Sequence, residues 1–180
     1  MFDEDIKIAG EKFTQRPKPN TQPQTSTSQT EDFENAKRAG VKLAEKIVKT
    51  AAVPWGEEQD DSFDLKLQRG LLLAFSAVVT VEALAVAERV KDIIKHEFYK
   101  ELSKQDAGLY RGTTDSGAFS FYYLAHRRGI DVERRIGQTF AMLCSHDGDP
   151  IYQELGEALF CSMQSKTMKI IAEFCIIIKG

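Results

Sequence analysis

The side chains best suited to chemistry in this sequence lie close together in one short turn. Cys144, His146, Asp147 and Asp149 supply a thiol, an imidazole and two carboxylates, which are the groups that bind transition metals. Their C-x-H-D-x-D spacing differs from that of zinc sites, which bring a second pair of ligands from elsewhere. The alternative is structural: Asp149 before Pro150 caps a helix, and His146 stabilises the last carbonyls of the preceding helix.

Glu82 is the second candidate for chemistry, because it lies inside the apolar run Leu71–Ala87. A carboxylate there must be paired, hydrogen-bonded or protonated, and it could act as a catalytic acid or base. It could equally reach the edge of the domain or pair with an arginine. A small-molecule or metal-dependent enzyme would need a site built from Glu82, His126, Cys144, His146 and Asp147. No recognised cofactor motif occurs, so the sequence implies no cofactor.

Arginines and aromatics form a third group in the second half of the chain. The arginines are Arg111, Arg127, Arg128, Arg134 and Arg135. Two helices folded as a hairpin would make them a basic patch able to bind a phosphate or carboxylate, unless Asp131 and Glu133 leave an ordinary solvated corner. The aromatic string Phe119, Phe121, Tyr122 and Tyr123 covers more than one helix face. Exposed aromatics beside arginine are typical of protein-binding surfaces.

These groups predict two alternative functions. We expect a non-catalytic protein-interaction or regulatory module, because the long apolar helices carry no paired catalytic groups. Its partner would be another protein or a second copy of the chain. Its surface would comprise Tyr122, Tyr123, Arg127, Arg128 and Arg135. The enzyme with the site described above is the alternative, and the sequence does not decide between the two.

The elements that position these residues are predicted to be helices. Hydrophobic periodicity predicts an all-α fold, an irregular bundle of five or six helices. The helices begin near Ser28 or Thr30, Phe63, Asp115, Asp131 and Asp149. The second, from Phe63 to Ser103, should break between Glu82 and Lys91, because it would otherwise span ~60 Å. Its first half is apolar on all sides and should lie at the centre of the bundle.

The turns between these helices have recognisable signals. Residues 105–114 carry two glycines and are predicted to form a loop. Gly129 is predicted to follow the end of the third helix, and Asp131 to cap the fourth. The fifth helix is predicted to run to about Ile178.

The chain divides into a tail and one domain. Residues 1–30 are predicted to be a flexible tail, since residues 14–30 contain three prolines and no strongly apolar side chain. Residues 2–13 carry four large apolar side chains and either dock on this domain or a partner, or are disordered. Residues 31–180 are predicted to form a single helical domain.

Composition excludes several classes of function. A net charge of −3 supports neither nucleic-acid binding nor a polybasic membrane anchor. The 17 residues Leu71–Ala87 contain Glu82 and are shorter than the ~20 apolar residues of a spanning helix, so we expect no membrane insertion. Three cysteines and no apolar leader favour a reducing, cytoplasmic location.

Overall fold

The computed structural model describes residues 26–53 and 63–174, which form seven α-helices and no strand. In chain order the helices are α1 (Ser26–Ala51), α2 (Phe63–Glu82), α3 (Glu88–Gln105), α4 (Ala107–Asp115), α5 (Ala118–Arg127), α6 (Val132–Leu143) and α7 (Pro150–Glu173). The all-α prediction is confirmed for this part of the chain, which has seven helices where five or six were expected. Residues 26–30, predicted to be tail, belong to α1. The candidate docking segment 2–13 lies outside the described residues.

Helix α2 occupies the centre of the bundle, as its uniform hydrophobicity predicted. Residues 69–81 are all buried, and α2 contacts every other helix of the described chain. Phe75 lies at the middle of α2 and contacts the rings of Tyr122 on α5 and Phe160 on α7. Beside it, the Ser76 hydroxyl donates to the Phe160 carbonyl oxygen at 2.8 Å. This buried hydrogen bond fixes α2 against α7.

Basic side chains bind carbonyl groups at the carboxyl ends of α1 and α2. Arg69 is fully buried, and its guanidinium donates to the carbonyl oxygen of Ala51 at the end of α1. Lys91 of α3 donates to the Glu82 carbonyl oxygen at 3.0 Å and to the Glu88 carboxylate at 2.8 Å. A cation at a helix carboxyl terminus satisfies its last carbonyls and interacts favourably with its dipole. The predicted break between Glu82 and Lys91 is confirmed, and Lys91 fixes this corner.

The predicted loop at residues 105–114 is wrong, because most of this segment forms α4. The Asp106 carboxylate accepts a hydrogen bond from the Leu109 amide at 2.9 Å and so caps the helix. Leu109 is buried and packs on Gly70 of α2. Gly112 lies beside Leu71. The two glycines that suggested a loop therefore belong to a helix packed closely on α2, and tertiary contact outweighs their low helix propensity.

The turns around α6 confirm two predictions and correct a third. Gly129 adopts φ +68° after α5, which is the left-handed conformation that glycine favours at this position. The Asp149 carboxylate accepts from the Ile151 amide at 2.9 Å, with Pro150 as the first residue of α7. Asp131, by contrast, has φ +49° and makes no side-chain capping hydrogen bond. The left-handed backbone of Asp131 lets the chain reverse direction within a short turn, but it leaves the start of α6 without a side-chain cap.

Glycines allow two helix pairs to approach closely. A Cβ atom on Gly40 of α1 would overlap the Ile94 carbonyl oxygen of α3 and lie 3.0 Å from the Phe98 amide nitrogen. A Cβ on Gly156 of α7 would lie 2.9 Å from the Gly137 Cα of α6. Backbone therefore packs on backbone at both crossings, where side chains would hold the helices apart.

None of the described helices combines the length and hydrophobicity that crossing a membrane requires.

Gly40→Ala should destabilise the fold by about 1–3 kcal/mol, because the new methyl group meets α3 backbone, which cannot move without separating the helices. Gly112→Ala is the matched control: its Cβ would meet only the flexible ends of Leu71 and Leu67, at 3.0 and 3.3 Å. We expect this control to change stability by less than about 1 kcal/mol, since alanine has the better helix propensity. Urea denaturation measures both, and equal stabilities of the two variants would contradict the close α1–α3 approach.

Candidate functional site

Helices α5 and α6 pack together and form an open groove on the surface of the bundle. Its lining comes from α5 (Phe121, Leu124 and Ala125), from Arg128 directly after α5, from α6 (Arg135, Gln138, Thr139 and Met142) and from Asp147 in the turn that follows α6. Its volume is about 320 Å³. Helical spacing explains the lining, because positions three or four residues apart share one face. The opposite face of α5, with Ala118 and Tyr122, packs into the core.

Three large apolar side chains in this groove remain in solvent. Phe121 is 48% exposed, Leu124 is 61% exposed and Met142 is 40% exposed. Arg128 and Arg135 lie where the end of α5 meets the start of α6. Arg135 is held there by a hydrogen bond from its Nε to the Ile130 carbonyl oxygen at 2.9 Å. The groove therefore combines exposed apolar area with a basic end, which is the composition of a binding surface.

The predicted interaction surface agrees with this groove only in part. Arg128 and Arg135 line it, whereas Arg127 is exposed but does not. Tyr122 is fully buried and stacks on Phe75, with ring centroids 5.3 Å apart, so its assignment to a surface is wrong. Tyr123 is half-buried on the α2 side, where its hydroxyl donates to Glu82 at 3.3 Å.

Sequence reasoning missed the apolar residues that define the groove. Leu124 and Met142 were not singled out, and Phe121 was noted only as part of the aromatic string. A signal for them exists in the sequence. Phe121, Leu124 and Arg128 recur at three and four residues on the face of α5 that does not carry Tyr122. Since a helix this short could bury either face, only packing decides which one stays exposed.

Glu82 ends at the edge of the bundle and not within its core. It is the last residue of α2, and its side chain is 41% exposed. Besides the Tyr123 hydroxyl, its carboxylate lies 3.8 Å from the Lys95 ammonium group. Burial, followed by the Glu82 charge, raises the pKa of Tyr123 to about 12. Glu82 therefore has ordinary partners at the surface, a tyrosine hydroxyl and a lysine ammonium group.

His126 and Cys144 lie in apolar surroundings. The His126 ring packs edge-on against Phe75 and Phe160, with centroid separations of 6.1 and 6.4 Å. Cys144 follows the last residue of α6, and burial raises its pKa to about 12. A thiol with so high a pKa is almost entirely protonated at neutral pH and is a poor nucleophile or metal ligand.

The turn between α6 and α7 is built as a structural connection. The His146 ring stacks on Tyr152, with centroids 3.7 Å apart and an interplanar angle of 8°. The His146 backbone amide, and not its side chain, closes α6 by donating to the Ala141 carbonyl oxygen at 2.8 Å. Asp147 points to the α5–α6 groove, and Asp149 caps α7. Among the described residues, no three His, Cys, Asp or Glu side chains are placed to hold a metal ion.

Tyr122→Phe should leave stability at pH 7 within about 0.5 kcal/mol of wild type, because the buried hydroxyl has no hydrogen-bond partner in the described chain. Burial raises the pKa of Tyr122 well above its ordinary value. The contribution of Tyr122 to stability is therefore fully present below pH ~10. It is lost as the pH rises further, because the tyrosine hydroxyl then ionises in the unfolded chain but stays neutral in the folded one.

Above pH ~10 the free energy of unfolding of Tyr122→Phe should therefore exceed that of wild type, by up to about 1.4 kcal/mol per pH unit. Tyr123→Phe is the control at pH 7. It should lower the free energy of unfolding by about 0.5–1 kcal/mol, because it removes the hydrogen bond to Glu82. Urea denaturation at pH 7 and pH 11 measures both variants. A large loss for Tyr122→Phe at pH 7 would reveal a partner for its hydroxyl.

Cys144 should react much more slowly than Cys161 with a thiol reagent at pH 8. Burial raises the pKa of Cys144 to about 12, so very little of its thiolate is present at that pH. The pKa of Cys161 is also raised, by partial burial and then by Glu133, but its thiol is exposed to the reagent. The experiment uses a Cys175→Ser background, and Cys161→Ser should remove the fast phase. A Cys144 that reacts as fast as a free thiol would support the enzyme alternative.

No protein-family model, no curated protein and no solved structure matches this chain. Its function has to be inferred from the geometry of its own residues.

Proposed function

We propose that this chain is a non-catalytic protein-interaction module, and that the α5–α6 groove is its binding surface. The observation that carries the proposal is the exposure of Phe121, Leu124 and Met142 in one groove. Exposed apolar area concentrated in a concave site is typical of surfaces that bind other molecules. The alternative enzyme site has no comparable support, since Glu82, His126 and His146 each contact different neighbours.

The chemistry of the groove specifies its occupant as a protein segment with carboxylates beside apolar side chains. The apolar floor favours apolar side chains, because their burial removes both surfaces from water. Arg128 and Arg135 favour carboxylates at one end, since guanidinium groups bind them in a bidentate manner. Asp147 follows the opposite end of α6, so the carboxylates of the occupant should lie at the arginine end.

A peptide with the sequence of residues 1–13, MFDEDIKIAGEKF, provides a suitable probe. It places Phe2 and Ile6 on either side of the carboxylates of residues 3–5. The protein is the full chain with Asp3, Glu4 and Asp5 changed to lysine, so that its own amino terminus does not compete. Fluorescence anisotropy of the labelled peptide should give saturable binding, with a Kd in the micromolar to millimolar range.

Arg128→Glu and Leu124→Ser should each weaken this binding by about tenfold or more, or about 1.4 kcal/mol. Arg111→Glu makes the same charge change at an exposed position of α4 and should leave the affinity unchanged. A peptide with lysine at positions 3–5 should bind at least tenfold more weakly. Absence of saturable binding, or equal losses for Arg128→Glu and Arg111→Glu, would contradict the proposal.

A further inference from the structure

The outer face of α7 carries a stripe of exposed residues with coiled-coil spacing. The stripe consists of Glu154 together with Ile151, Ala158, Cys161, Ser165, Met168 and Ala172, all of them exposed. Their spacing alternates between three and four residues, which is the a/d pattern of a coiled-coil seam. The opposite face, with Phe160, Met163 and Ile171, is buried against the bundle. Helix α7 thus buries one face in the bundle and leaves this stripe exposed.

The charges on α7 are arranged about the middle of this stripe. Glu154 lies in the amino-terminal half and Lys169 in the carboxyl-terminal half, at nearly equal distances from Cys161. Glu157 and Lys166 repeat the same order of charge, and only Glu173 at the last residue departs from it. A parallel pair of such helices would place like charges opposite each other. An antiparallel pair would place Glu154 of each helix level with Lys169 of the other.

We propose that α7 pairs with α7 of a second copy of this chain, antiparallel, around a twofold axis near Cys161 and Ser162. A twofold interface is self-complementary, so that each contact occurs twice. This register also matches side-chain sizes. Ile151 faces the small Ala172 of the second copy, and Ala158 faces Ser165. The small residues at the centre allow the helix axes to approach to about 8 Å, the short end of the usual range.

The interface is expected to be reversible. A helix of 24 residues is about 36 Å long, which makes a helix pair small beside the ~1,200–2,000 Å² of a stable complex. We therefore expect a Kd of about 1–100 μM, or about −8 to −5 kcal/mol. The stripe lies on α7 and the α5–α6 groove does not, so the inference stands independently of the proposed function. The dimer would present two grooves, and a partner with two binding segments could engage both.

A charge exchange tests the antiparallel register. Sedimentation equilibrium over a range of concentrations should show a monomer–dimer equilibrium for the wild-type chain. Glu154→Lys and Lys169→Glu should each weaken the dimer by at least tenfold, because each places two like-charge pairs in the interface. The double variant Glu154→Lys/Lys169→Glu should restore the Kd to within about threefold of wild type. Circular dichroism checks that every variant stays folded. Lys42→Glu, at an exposed position of α1, is the matched control.

Three outcomes would overturn the proposal: a wild-type chain that stays monomeric, a dimer unaffected by the single variants, or a double variant no better than they are. A monomeric chain that co-sediments with phosphatidylcholine vesicles would instead show that the stripe contacts lipid.

Cross-linking provides a second measurement that depends on the position of the twofold axis. A short bismaleimide should join two chains through Cys161 in a Cys144→Ala/Cys175→Ser background. In the control, Cys161→Ser is combined with Ser120→Cys at an exposed position of α5, and this chain should not cross-link. Equal cross-linking at both positions, or none through Cys161 above the dimer Kd, would contradict the arrangement.

Discussion

Burial of α2 on every side is the constraint on which the rest of the fold depends. From residue 69 to residue 81 this helix has no exposed position, so six other helices must surround it. Each Å² of its apolar surface removed from water stabilises the fold by about 25 cal/mol. Packing against α2 also explains why two short helices are stable in this fold. Helices α4 and α5 have 9 and 10 residues and would be marginal in isolation, but α2 gives each an apolar surface to pack against.

The polar groups within this core specify the arrangement more than they add stability. The guanidinium of Arg69 binds the end of α1, Ser76 binds α7, and Lys91 binds the end of α2. Each buried hydrogen bond would be lost if the helices slid past one another, and an unsatisfied buried group costs more than a formed hydrogen bond contributes. Hydrophobic burial alone would permit many registers. These contacts, with the backbone approach at Gly40, favour one.

The two proposed binding surfaces lie on helix faces that do not pack against α2. Helix α5 buries Tyr122 against Phe75 and leaves Phe121 and Leu124 beside α6. Helix α7 buries Phe160 and leaves the stripe through Cys161 outside. Both helices leave large apolar side chains exposed outside the core, Phe121 and Leu124 on α5 and Ile151 and Met168 on α7, whereas a helix at the edge of a monomer needs only one apolar face. These exposed apolar side chains are the physical reason for inferring a partner at each place.

The sequence by itself determined the elements whose signals are local. The helical period, the break after Glu82, the turn at Gly129 and the Asp149–Pro150 helix start all follow from residues within a few positions of one another. The uniform hydrophobicity of α2 determined its central place. Only the tertiary structure decided the rest. It made α4 a helix, because Leu109 packs on α2. It turned Tyr122 inward and Phe121 outward, because aromatic side chains on both faces of α5 could satisfy either orientation. It also placed Glu82 at an edge and gave His126, Cys144 and His146 separate neighbours. Distances between helices depend on how they pack, and periodicity along one helix carries no information about that.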